Sequence, residues 1–168
     1  MKMGMRREAR ERAVQFLFQH DLNPPADLAA ALGAFWELPS ADAEDAGAGG
    51  KSAAADPAAA ANELAVRLFA EPLIKGTVEH RAEVDGLIQK YAKNWDLRRM
   101  ATVDRNILRL AIYEMLYRED IPPVVSINEA IEVAKKFSTE DSGKFVNGIL
   151  DKVRESLPAA ARGARGSS

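Results

Sequence analysis

Cysteine is absent from this sequence, so neither disulfides nor thiolate metal sites can form. Histidine is scarce: His20 and His80 lie far apart and share no ligand spacing, so no metal site is expected. No apolar run approaches the roughly 20 residues that a membrane-spanning helix needs. The charged stretch Met1 to Arg12 is not followed by the apolar segment of a secretory leader. A cytoplasmic location is the expectation. Strand signals are missing too. Val124-Val125 is too short for a strand and sits between a proline pair and a helix-start signal. No internal repeat is visible.

What is present is apolar and periodic. Hydrophobic residues make up 47% of the 168 positions, enough for the core of one domain and hardly for two. The net charge of −2 is unevenly spread. Residues 1–12 hold Lys2, Arg6, Arg7, Arg10 and Arg12 against Glu8 and Glu11, a net of +3, which leaves −5 for the rest. Such a balance argues against non-specific coating of nucleic acid and remains compatible with a focused phosphate contact.

Helical spacing predicts seven helices. The first spans about Arg6 to His20, with Ala13, Val14, Phe16 and Leu17 inward, and Asn23-Pro24-Pro25 ends it. The second runs from Asp27, as N-cap, to Trp36. Between Ser40 and Ala61, alanine and glycine fill 14 of 22 positions and no large apolar residue occurs, so 40–55 reads as a flexible insertion. Asp56-Pro57 opens a third helix that reaches Glu79, with Pro72 expected to kink or break it.

The fourth helix covers about Ala82 to Trp95, with Val84, Leu87, Ile88, Tyr91 and Trp95 on one face. The fifth, Thr102 to Arg118, is apolar on more than one side and so is expected to be central. Ser126 and Glu129 form a capping-box signature for the sixth, which turns Ile127, Ala130, Ile131, Ala134 and Phe137 inward and pairs Glu132 with Lys136 outside. The seventh starts at Asp141 or Ser142, buries Phe145, Ile149, Leu150 and Val153, and stops before Pro158. Residues 158–168 read as a disordered basic tail. The expected fold class is all-α, with residues 1–157 forming one domain interrupted by the insertion.

Four constellations bear on function. Gly50-Lys51-Ser52 resembles the end of a phosphate-binding loop, but Asp45 stands where its first glycine is required, so it reads as linker. Asp104, Arg105, Arg109 and Glu114 lie along the fifth helix. Asp104 and Glu114 are about 15 Å apart along it, too far for paired acid–base work. Ion pairs and, for Asp104, helix-start electrostatics explain these four, with partner binding as the alternative for Asp104. Arg6, Arg7 and Arg10 sit at a helix start, where they oppose the macrodipole. Phosphate binding gives them a reason to be there; a solvated face paired with Glu8 and Glu11 is the competing reading. Finally, Asp141 to Gly148 combines a helix start with Lys144 and Phe145. Phe145 is either core or a stacking face for a base.

Three runs resemble the NusB family of bacterial transcription antitermination and termination factors: Arg6 to Gln15, Val103 to Glu114, and Ser126 to Phe137. The last continues through Asp141-Ser142 and Lys144 to Asp151. The resemblance implies two packed helical bundles, no enzymatic activity and no cofactor. It also implies binding of boxA RNA together with the small-subunit ribosomal protein NusE, within an RNA polymerase elongation complex that transcribes ribosomal RNA operons. A homodimer is left open. By the same resemblance Arg6, Arg7, Arg10, Lys144 and Phe145 face RNA, and Asp104 and Asp141 lie near the RNA or partner surface. Phe18 stands where family members often carry tyrosine, and Glu8 where a residue can be basic; the 40–61 stretch and Pro72 also depart from the pattern. A similar helical domain precedes certain ribosomal RNA cytosine methyltransferases, but this chain lacks their glycine-rich cofactor sequence and catalytic cysteine. The alternatives are a remnant of such a domain or a stand-alone protein-interaction module.

Overall fold

The computed structural model describes residues 3–38, 56–92 and 96–158. The insertion at 40–55, the Gly50-Lys51-Ser52 run, Trp95 and the tail from 159 onward lie outside the described residues. Seven α-helices occur among the described residues, with no strand: α1 (Met3–Leu22), α2 (Leu28–Glu37), α3 (Pro57–Glu79), α4 (Arg81–Tyr91), α5 (Thr102–Tyr117), α6 (Pro123–Phe137) and α7 (Glu140–Ser156). A 3-10 turn, Leu97–Arg99, precedes α5 and was not expected from the sequence. None of these helices is long and apolar enough to cross a membrane.

The helices fall into two packed groups. One joins α1 to α3, with α2 resting on α1 through an edge-on contact of Phe35 with Phe16. The other collects α4, α6 and α7 around α5, which also touches α1 and α3. The broad apolar surface of α5 explains its central place: Ile107, Leu108, Ile112 and Met115 are all but inaccessible. Each such side chain contributes roughly 1.5–3 kcal/mol through burial. Leu73 and Ile74 of α3, Ile88 of α4 and Leu150 of α7 complete the same core.

Local chemistry sets the helix ends. Asp27 accepts hydrogen bonds from the N–H groups of Ala29 and Ala30, and Asp56 accepts one from Ala58 ahead of Pro57. Helix α3 runs on through Pro72 to Glu79, as far as the sequence places its end, so the proline does not break it. The carbonyl that loses its partner belongs to Leu68, which is exposed, so water can satisfy it.

The sixth helix corrects the sequence reading. It begins at Pro123, a turn before Ser126, because proline at the first position has no N–H to satisfy. Ser126 and Glu129 are not a capping box, since other helices engage them. The seventh helix is capped by Thr139, whose Oγ1 accepts the Ser142 N–H at 3.1 Å; Asp141 falls in its first turn. Lys136 reaches Glu11 at 2.8 Å, while Glu132 is met by Lys135. Phe137 and Phe145 are only partly buried, at the edge of the core.

Candidate nucleic-acid interface

Two polar clusters contain the candidate residues, one at each end of α5. At its C-terminal end lies the arginine arm of α1. No acidic residue occupies the first turn of that helix. Arg7 donates to Glu129 of α6 through two nitrogens, at 2.8 and 3.1 Å, and its side chain remains 42% exposed. The hydrogen bond from Arg7 holds the Glu129 carboxyl below its usual range, against the opposing effect of burial. Arg10 grips Glu114 of α5 with Nε and Nη2, and Ser126 donates its hydroxyl to the same carboxylate at 3.0 Å. Arg10 and Glu114 are both buried.

Arg10 therefore does not stand in solvent, as a phosphate-binding arm would require. The hydrogen bonds of Arg7 and Arg10 go to α6 and α5, and the charge of Glu11 also acts on Arg7. Arg6 is partly buried, with its guanidinium 5.0 Å from the centre of the Phe69 ring. Arg10 and Arg118 stand 5.2 Å from that ring, so three guanidiniums gather on one aromatic side chain. The contribution of Arg118, at the C-cap of α5, was not legible in the sequence, because it depends on α3 bringing Phe69 beside it.

The second cluster sits where α5 and α7 start. Ser142 donates its hydroxyl to Asp104 Oδ2 at 3.0 Å, and Asp104 is buried. Asp104, Asp141 and Phe145 line one cavity of about 230 Å³ with Arg99, Met100 and Ser142. Asp141 and Lys144 are exposed. The structure thus brings Asp104, Asp141 and Phe145 together and keeps them from the arm. Glu114, the partner of Arg10, is ten residues along α5 from Asp104, a rise of roughly 15 Å.

Between the clusters, the remaining α5 charges are ion-paired, as the sequence reading held. Asp21 accepts hydrogen bonds from Arg105 at 2.6 Å, Arg109 at 2.9 Å, Asn106 at 3.0 Å and Arg81 at 3.1 Å. Burial pushes its carboxyl up, but those donors and charges outweigh burial and bring it to about 2. Arg109 also holds Asp85 of α4 through two nitrogens.

A basic N-terminal helix locked onto a central buried helix, with two helical groups sharing that helix, defines an all-α two-bundle protein. A sequence model described as the NusB family matches residues 7–155. The transcription antitermination protein NusB of Geobacter sulfurreducens is 47% identical over 93% of this chain and 98% of its own length. The protein of that name from Myxococcus xanthus is 44% identical over 92% of this chain and 98% of its own. Among solved structures, T. maritima NusB superimposes with a TM-score of 0.68 at 38% identity, covering 93% of this chain and 95% of that one. A complex of the antitermination factors NusB and NusE with double-stranded RNA contains a chain of the same fold, with a TM-score of 0.69 at 23% identity over 93% of this chain and 100% of that one. The chain belongs to the NusB family.

Proposed function

We propose that this protein is a cytoplasmic transcription antitermination factor that binds boxA RNA together with ribosomal protein NusE and joins an elongating RNA polymerase. The supporting observation is the near end-to-end match to relatives named as antitermination proteins. The structure adds a physical basis. Arg6 and Arg7 supply charge near a helix start whose first turn holds no acidic residue, which suits phosphate, and Arg7 shares its charge with Glu129. Lys144, Phe145, Asp104 and Asp141 form the second contact, where a base can be selected. Arg10 acts through the fold, by fixing α1 on α5, and not by touching RNA. The role is one of binding, without catalytic turnover. A gel-shift titration of boxA RNA, with and without NusE, tests this. Specific binding strengthened by NusE is expected; equal affinity for boxA and a scrambled RNA would remove the reading.

A further inference from the structure

Three rings gather where the C-terminal end of α5 meets the junction of α3 and α4. Tyr113, Tyr117 and His80 have centroids 4.2, 5.2 and 5.8 Å apart, with planes that agree to within 27°. Rings so mutually close do not form a column, whose outer members stand two steps apart. They form a compact aromatic shelf. Gly76 of α3 gives it a backbone floor, since a Cβ there would strike the Tyr113 ring. Tyr113 and His80 are half-buried, whereas Tyr117 remains 40% exposed.

The charges around the shelf are one-sided. Tyr117 donates its hydroxyl to Glu83 at 2.7 Å, which fixes a carboxylate at the rim. That bond does not neutralise the charge, because the carboxylate only accepts. Glu79 and Glu83 flank His80 in the chain, both are exposed, and neither makes an ion pair among the described residues. The nearby cations are engaged elsewhere. Arg81, between the two glutamates in sequence, turns to Asp21 at 3.1 Å and to Asp85 at 3.6 Å. Arg118, next to Tyr117, pairs with Asp120 and lies over Phe69.

An open aromatic face and an unneutralised carboxylate attract the same thing, a cation. The same carboxylates repel the phosphates of a nucleic acid. Between the two basic side chains the shelf distinguishes by shape. A guanidinium is planar and weakly hydrated, so it lies flat on a ring while its N–H groups reach a carboxylate. A compact, strongly hydrated ammonium does not do both.

We propose that the His80–Tyr113–Tyr117 shelf is a docking site for an arginine side chain of a protein partner, stacked on the exposed Tyr117 ring and ion-paired with Glu83. The shelf is remote from the cavity at the starts of α5 and α7. Tyr117 stands thirteen residues along α5 from Asp104, a rise of roughly 20 Å.

The test uses the full chain and three probes: a glycine-spaced arginine peptide, a lysine peptide of the same spacing and charge, and a single-stranded RNA without boxA. Aromatic NMR signals report the site. The arginine peptide is expected to shift the Tyr117 and His80 signals and to bind more tightly than the lysine peptide. Tyr117→Leu, followed through His80 and Tyr113, is expected to weaken arginine binding about two- to fivefold, as for an exposed cation–π contact, and to remove the preference over lysine. Glu83→Gln is expected to weaken it by a similar factor and to reduce its salt dependence. Because Glu83 is a surface side chain, this second variant keeps the test valid if Tyr117→Leu folds poorly. Equal binding of the two peptides would overturn the proposal, as would arginine binding indifferent to both variants or no ring shift with any probe. Ring shifts produced by the RNA and not by the arginine peptide would also overturn it, and would assign the shelf to nucleic acid.

Discussion

Arg10 of α1 and Glu114 of α5 form a buried two-pronged ion pair, with the Ser126 hydroxyl of α6 completing the carboxylate's partners. Three helices thus converge on one charge that water does not reach. Removing Arg10 alone leaves that charge stranded. Arg10→Ala is expected to destabilise the fold by on the order of 3–5 kcal/mol in urea unfolding. Replacing both partners with apolar residues, Arg10→Met with Glu114→Leu, should recover most of that loss, because a packed apolar pair has no desolvation cost. A single variant as stable as wild type would mean that the pair is not closed in solution.

Asp21 gives the fold an acid-sensitive tie between α1, α4 and α5. Its carboxyl titrates at about 2, below the ordinary 3.8. A depressed carboxylate stabilises the folded state above its unfolded value and loses that contribution as pH falls through the folded one. The window here lies between roughly pH 4 and 2, and the amount is about 2 kcal/mol. Asp21→Asn is expected to flatten the stability profile across that window while lowering stability at neutral pH. An unchanged slope between pH 4 and 2 would show that the network carries no such linkage.

Gly76 lies under the ring of Tyr113, and a Cβ there would collide with it. That ring stacks against Tyr117, which in turn stacks on His80 with centroids 4.2 Å apart, so it has little room to retreat. Gly76→Ala is expected to cost about 1–3 kcal/mol, as overpacking does, although alanine favours a helix. Thermal unfolding checks the sign; a stabilised variant would show that the stack yields.

Core burial separates two residues that helical spacing treats alike. Leu110 is 3% exposed, whereas Phe137 lies only partly buried at the edge of the core. Leu110→Ala should cost on the order of 2–5 kcal/mol, and Phe137→Ala distinctly less. Equal costs in urea unfolding would place Phe137 deeper than its position indicates.

These residues also mark how far the sequence could be read. The apolar stripes of α1 and α5 identify their core faces, since helical period and burial are the same information. Asp27 and Asp56 announce their helices because a cap bonds to its own next residues. Ser126 and Glu129 carry an equally good local signal, yet Glu114 and Arg7 claim them from more than ten residues away. Spacing cannot show that competition. The same limit hid Arg10: an arginine at a basic helix start looks solvated until Glu114 is known to face it. Asp104, Asp141 and Phe145 were each visible as candidates. Their shared cavity depends on α5 and α7 starting side by side, a tertiary fact.

The arm itself yields the last expectation. Arg6 and Arg7 are the two arginines of the candidate set that retain access to solvent, while Arg10 is buried. Arg6 contributes a cation–π contact worth about 0.5–1 kcal/mol, and Arg7, itself 42% exposed, makes one ion pair, to the buried Glu129. Arg6→Ala with Arg7→Ala should therefore stay folded by circular dichroism, unlike any combination that includes Arg10. Each phosphate contact to a single strand adds roughly −0.7 to the log–log dependence of affinity on salt. Two lost contacts should flatten that slope by about 1.4 and weaken boxA binding at low salt. NusE affinity measured without RNA should hold if the partner uses another face. Binding at Arg7 also requires it to leave or share Glu129, so Glu129→Gln should strengthen RNA binding by freeing the guanidinium. A folded double variant with wild-type affinity and slope would take the arm out of the RNA site and leave the second cluster to account for binding alone.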